Sequence, residues 1–161
     1  MDKNEVYKVL KELNIKYEIY EHEAVFTVEE AKKLNLNMNA GECKNLFLRN
    51  RKGSKHYLVV LREDKTVDLK DLQSQINSTP LSFASEERLY KYLKLKPGSV
   101  TPMGLINDKD NIVDLILDKD LANCNRISFH PNVNTETIVM DYNEFEKFID
   151  FKGNKVIYVE I

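Results

Sequence analysis

The spacing of apolar positions changes along the chain, and each spacing predicts an element. Val6, Leu10 and Leu13 recur at i, i+4 and i+7, the stripe of an amphipathic helix, with Asp2 and Glu5 as a start signal. In "IKYEIYEH" the period shortens to two: Ile15, Tyr17 and Ile19 alternate with polar neighbours, as in a half-buried strand. Thr27 and Glu30 in "TVEEAKKL" form a capping box for a second short helix. "NLFLRNRKGSKHYLVVL" reads as two strands around a turn at Lys52 to Ser54. Leu69, Leu72 and Ile76 return to helical spacing, with Asp68 as N-cap. "SFAS" reads as a short strand, and Ser85 caps a helix running to Leu93. "NIVDLILD", "RISFHP" and "TETIVMD" are rich in β-branched and apolar residues and predict strands. Asp141 and Glu144 open a last helix, "DYNEFEKFID", and "KVIYVEI" closes the chain as a strand.

Strands and helices are interspersed, with connections of both hairpin and crossover length. That order predicts an α/β fold: one mixed, strongly curved β-sheet with helices around it. No repeat, low-complexity tract or linker divides residues 1–161, so a single domain is expected.

Composition narrows the class of partner. The formal net charge is −2, so no overall basic field draws nucleic acid, and any such contact needs a local patch. Lysines in "KKLNLN" and in the 51–55 turn are the candidates. Cys43 and Cys124 are far apart and form no CxxC pair, which favours reduced thiols and a cytoplasmic protein. The charged, amphipathic N-terminus lacks the apolar core of a signal peptide, and no apolar run approaches the roughly 20 residues that span a bilayer.

Candidate chemistry is sparse. His22, His56 and His130 are scattered, no metal-ligand spacing is present, and neither metal nor cofactor is expected. No GxSxG elbow, Walker loop or GxGxxG occurs. Cys43 precedes Lys44, whose ammonium favours a thiolate, but a lone cysteine is ordinarily a small buried hydrophobe. Lys44 lies at the mouth of a predicted strand, where a lysine binds phosphate or polarises a carbonyl; a solvated side chain is the ordinary alternative. His130 ends "RISFHPN", facing a pocket or capping a turn.

The chain has five glycines and four prolines, and "KLKPGSVTPMGL" holds two of each. Gly98 frees the backbone and Pro102 stiffens it, so the amides of Ser99, Val100 and Thr101 are placed to meet an oxyanion or a carbonyl. The competing reading is a tight structural turn.

Four segments, "EHEAVFTVEEA", "CKNLFLRN", "GSVTPMGL" and "ISFHPN", occur in an order that resembles the YbaK/ProX family of aminoacyl-tRNA editing domains, and the resemblance covers nearly the whole chain. It implies a barrel-like mixed sheet with helices packed around it. It also implies hydrolysis, in trans, of the ester joining a wrong amino acid to tRNA. The branch most resembled clears alanine from tRNA(Pro); a Cys-tRNA(Pro) deacylase and a non-catalytic module binding tRNA or synthetase are the alternatives.

The family's lysine falls on Lys44, followed by Asn45, and its GxxxP loop falls on Gly98 to Pro102. The pocket histidine falls on His130, within the segment containing Ser128. Phe26 and Thr27 lie in the segment near the amino-acid pocket, and Met103 follows the loop. The resemblance makes Lys44 and Gly98 catalytic. It makes Phe26, Thr27, Asn45, Ser99, Val100, Thr101, Pro102, Met103, Ser128 and His130 substrate-binding. The implied partner is the alanine-bearing acceptor end of tRNA(Pro), with transient contact to prolyl-tRNA synthetase or an elongation factor. No membrane is implied.

Overall fold

The computed structural model describes residues 3–21, 43–133 and 135–161. The capping box at Thr27 and Glu30, the start signal at Asp2, the lysines of "KKLNLN", and the candidates His22, Phe26 and Thr27 lie outside them.

Helix α1 (Lys3–Glu12) buries Val6 and Leu10, the predicted stripe. Strand β1 (Glu18–Glu21) begins later than the alternation indicated. Ile15 and Tyr17 pack inward ahead of it, whereas Ile19 is 46% exposed, so the period of two does not run on as one buried face. Strands β2 (Cys43–Arg49) and β3 (His56–Arg62) form the expected antiparallel hairpin. Helix α2 (Leu69–Ile76) starts at Asp68, whose carboxylate accepts from the amides of Lys70 and Asp71. After β4 (Ser82–Phe83), the Ser85 hydroxyl caps α3 (Glu86–Leu93) by accepting from the Arg88 amide at 3.2 Å. A 3-10 helix over Pro102–Asn107 leads to β5 (Val113–Asp118). Strands β6 (Arg126–Phe129) and β7 (Glu136–Asp141), helix α4 (Tyr142–Lys152) and β8 (Val156–Val159) complete the order.

Asp141 occupies the N-cap position of α4 but makes no side-chain capping bond. The Tyr142 amide donates instead to the Asn125 carbonyl at 3.2 Å. Glu144 does not cap either. It accepts from the Lys16 amide at 3.2 Å and pairs with Lys147, tying α4 to the chain leaving α1.

The expected single sheet is two. Strands β1-β7-β6 form an antiparallel sheet of three, and β4-β2-β3-β5-β8 a mixed sheet of five, in which β3, β5 and β8 run parallel. The two sheets do not close into a barrel. The main core lies between the two sheets. Phe47, Leu58, Val60, Leu115 and Leu117 of the larger sheet meet Ile127, Phe129, Ile138 and Met140 of the smaller, closed in by α1, α3 and α4. The opposite face of the larger sheet carries Leu48, Tyr57, Val59, Leu61 and Ile116, covered by Leu72 of α2. The larger sheet is thus buried on both faces. That explains why "HYLVVL" of β3 has no polar alternation. Among the described residues no helix is long and apolar enough to cross a membrane.

His56 sits where the larger sheet ends, 3% exposed and stacked on Phe47 and Tyr92. Burial, with Arg88, Arg49 and Lys91 nearby, pushes its pKa down to about 4 from the usual 6.5. A histidine whose folded pKa is depressed stabilises the fold above its unfolded pKa, and that contribution is lost as pH falls from about 6.5 to about 4. Denaturant midpoints should therefore drop over this window by an amount on the order of 2–3 kcal/mol of stability. His56→Phe should show a shallower pH dependence, and an equal slope in both proteins would remove His56 as its source.

A seam between two sheet edges

Both faces of the larger sheet are apolar, so polar chemistry is confined to strand ends and edges. Strand β4 pairs only with Leu48 and Arg49, so among the described residues the first half of β2 has no partner on that side. Strand β6 is the free edge of the smaller sheet. The two edges lie next to each other. Lys44 and Asn45 lie on the β2 lip of this seam, Ser128 lies on the β6 lip, and His130 directly follows β6.

Alternation sends adjacent residues of β2 to opposite faces. Asn45 shares the inner face with Cys43 and Phe47, and Lys44 shares the outer face with Leu46 and Leu48. Lys44 is half-buried, and its side chain forms no hydrogen bond or ion pair with any described residue. The Asn45 Oδ1 is buried and has no hydrogen-bond partner among the described residues. A buried carbonyl oxygen without a donor costs about 1–3 kcal/mol, a debt that a bound donor would cancel.

On the other lip, His130 Nδ1 lies 3.0 Å from the Glu136 carbonyl. A carbonyl only accepts, so Nδ1 carries the proton, and the ring is oriented by the start of β7. The Glu136 side chain is buried, accepts from the Tyr7 hydroxyl at 3.1 Å and pairs with Lys3. Burial and this carboxylate raise the Tyr7 pKa. Helix α1 thus supports the strand that holds His130. The pattern of residues had not singled out Glu136, which reads there as one polar position of a strand, and only the fold places Tyr7 beside it.

The glycine–proline loop is shaped, as its composition indicated. Gly98 has φ +90, a region open chiefly to glycine, and the Ser99 amide donates to the Lys96 carbonyl at 3.1 Å. The Ser99 amide is therefore spent within the turn. The amides of Gly98, Val100 and Thr101 donate to no described group. Thr101, Pro102 and Met103 are buried, with the Thr101 hydroxyl accepting from the Met103 amide at 3.3 Å. Gly98 is exposed, and Ser99 and Val100 are half-buried. Val100 and Met103 pack on the same core as Cys43, Phe47 and Phe129, which joins the loop to β2 and β6 from within. Gly104 fixes its far end, since a Cβ there would lie 2.5 Å from Leu95 Cδ1. Neither Cys43 nor Cys124 is in a disulfide, and Cys43 packs at the margin of the main core. Among the described residues no three of His, Cys, Asp and Glu gather as a metal site.

Known proteins resemble this chain at three levels. The pattern of the family described as "Aminoacyl-tRNA editing domain" matches residues 22–148. The chain is 45% identical to a "Prolyl-tRNA editing protein ProX" of Acetoanaerobium sticklandii, over 99% of this chain and 97% of that protein. It is 34% identical to "Prolyl-tRNA synthetase associated domain-containing protein 1" of Xenopus laevis, over 98% of this chain and 95% of that protein. In three dimensions it superposes on a crystal structure described as a candidate trans-editing enzyme for prolyl tRNA synthetase. The TM-score is 0.71 at 18% identity, over 99% of this chain and 96% of the other, a likeness that speaks for the fold alone.

If the Asn45 Oδ1 is an uncompensated buried atom, its removal should not destabilise the fold as loss of a bonded asparagine would. Asn45→Ala should leave the urea midpoint unchanged or raise it, against a loss of about 1–3 kcal/mol for a satisfied buried side chain. A loss of that size would show that the atom has a partner in the folded protein.

Proposed function

The chain belongs to the aminoacyl-tRNA editing domain family, and from that premise we propose that it is a trans-editing hydrolase that clears alanine from mischarged Ala-tRNA(Pro). The observation that carries this reading is the buried Asn45 Oδ1 on the β2 edge, without a hydrogen-bond partner among the described residues, next in sequence to a lysine that forms no ion pair among them. On the inner face Asn45 offers an acceptor for a hydroxyl or ammonium donor, and on the outer face Lys44 offers a positive charge for a phosphate or a polarised carbonyl. A terminal adenosine esterified with an amino acid brings all of these groups. The relatives' names point to prolyl-tRNA as the system edited.

In this reading the ester carbonyl meets the exposed end of the Gly98–Pro102 loop. The amides of Gly98 and Val100 are the donors for the developing oxyanion, because the Ser99 amide is held by Lys96. Water attacks the carbonyl carbon and the C–O bond to the ribose breaks. The proton goes to the ribose oxygen, releasing alanine and free tRNA. The adenosine's own free hydroxyl positions the water, since the described residues supply no nucleophile–base pair. Lys44 holds the phosphate or the carbonyl by its charge. His130, oriented by the Glu136 carbonyl, limits the room for the amino-acid side chain. Limiting that room serves discrimination, because a synthetase pocket rejects a smaller amino acid by only ~1–3 kcal/mol per methylene and hydrolysis at a second site must supply the rest.

Purified protein should release alanine from Ala-tRNA(Pro) well above the buffer rate and spare Ala-tRNA(Ala). A preference for Cys-tRNA(Pro) would move the specificity to cysteine, and binding without turnover would make the chain a non-catalytic module. Lys44→Ala should lower kcat/KM by about 2–4 kcal/mol of transition-state stabilisation with little change in melting temperature. Near wild-type kcat/KM would refute the role given to Lys44.

His130→Ala separates a size gauge from a proton-transfer group. A gauge, when removed, shifts the ratio of kcat/KM for Ala-tRNA(Pro) to that for Cys-tRNA(Pro) toward cysteine by about 10- to 200-fold. An acid–base group, when removed, slows both substrates by one factor. An unchanged ratio would place selectivity in the loop or its apolar neighbours.

A further inference from the structure

At the end of the hairpin remote from Lys44, the structure gathers positive charge that the described acids leave largely unneutralised. "RNRKGSK", residues 49–55, holds Arg49, Arg51, Lys52 and Lys55 and no acid, in a chain of net charge −2. The turn is held in one shape by Asn50, whose Oδ1 accepts from the amides of Ser54 and Lys55 at 2.9 and 3.2 Å. Gly53, with φ +69, donates its amide to the Asn50 carbonyl.

Helix α3 then brings Arg88 against this turn. Its Nη1 donates to the Gly53 carbonyl at 3.2 Å and to His56 Nε2 at 3.1 Å. A guanidinium only donates, so the histidine nitrogen facing it is bare. Arg88 is therefore held by two neutral acceptors and not by a carboxylate. A Cβ on Gly53 would lie 2.9 Å from both Arg88 Nη atoms and 3.1 Å from Arg49 Nη1, so the two guanidinium groups close over the same glycine. Lys91 lies on the same helix. Among the described residues, Lys55 alone of this group has an acidic partner, Asp114 at 3.4 Å. Glu86 and Glu87, in the first turn of α3, form no ion pair with the others. Like charges this close repel unless an anion lies between them, and two planar guanidinium forks match the oxygens of a phosphate.

We propose that Arg49 and Arg88, ringed by Arg51, Lys52 and Lys91, form a docking surface for backbone phosphates of the substrate tRNA, away from the ester. The inference rests on the editing function proposed above. Two features favour RNA over a free anion. Phe83, 60% exposed, follows Ser82, the residue that pairs with Arg49, and gives an unpaired base a ring to stack on. The surface also lies at the opposite end of β2 from Lys44, about 17 Å away at the rise of a strand. A ligand occupying both points must be a polymer, and with its 3′ end at the seam its backbone reaches the hairpin turn.

The test is binding of uncharged tRNA(Pro) by the full chain across a salt titration, for wild type and Arg49→Gln/Arg88→Gln. The double variant should bind about tenfold more weakly, and its plot of log affinity against log salt should be shallower by about one to two. Its kcat/KM on alanyl-adenosine, an ester without phosphates, should be unchanged. Unaltered tRNA affinity and salt slope would overturn the proposal, as would an equal loss on alanyl-adenosine. So would unaltered tRNA binding together with lost binding to prolyl-tRNA synthetase, which would assign the surface to a protein. If the double variant does not fold, Arg51→Gln/Lys52→Gln, on the exposed turn, carries the same expectation and the same refutation. The binding assay needs no hydrolysis, so a protein that binds tRNA through this surface but deacylates nothing would refute the editing function alone.

Discussion

Burial of the five-stranded sheet on both faces is the constraint from which the rest of the architecture follows. One face packs against the smaller sheet and three helices, the other against α2, so β3 and β5 pass through the protein as almost unbroken apolar runs. A sheet in this position cannot present a polar cleft across its surface without opening a core. What remains are its ends and its edges. The candidate site uses an edge, where β2 outruns β4 and lies beside β6, and the basic surface uses an end, where the hairpin turns.

The failure of the two sheets to close leaves an open seam between their edges. A closed barrel would pair the edges of β2 and β6 and consume their backbone groups. Left open, the seam places half-buried side chains such as Lys44 and Ser128 beside apolar packing, where charge and hydrogen bonds act at lower dielectric than in water. The supports come from elsewhere in the fold. Glu136 orients His130 through its carbonyl while its carboxylate is held by Tyr7 and Lys3 of α1. Thr101 and Gly104 anchor the loop whose exposed end is Gly98.

Much of this was legible in the residues, for identifiable reasons. Helix caps at Asp68 and Ser85 and the hairpin between "NLFLRN" and "HYLVVL" are local signals, set within a few positions, and they appear as read. The alternation through Ile19 misled because an apolar residue on an edge strand need not be covered, and Asp141 took the cap position without the capping bond. The division into two sheets depends on which strands pair over long separations, such as β1 with β7, and no local pattern encodes that. The same holds for the site. Lys44, the loop and His130 were visible as types in suggestive places, but the Glu136 support and the Arg49–Arg88 pair arise only when distant elements meet.

The arrangement also separates two tasks that an editing enzyme must reconcile. Recognition of a long polyanion calls for exposed positive charge, tolerant of position and sensitive to salt. Discrimination between a methyl group and slightly larger side chains calls for rigid, short-range contact in a dry pocket. Placing both at one point would weaken each, because solvated lysines and arginines would flood the pocket with water and mobile charge. Here the arginines collect at one end of β2 and the lone lysine stands at the other, with Phe47 in the core between them. One short strand thus sets the distance between the point where a tRNA would be held and the point where its cargo would be judged.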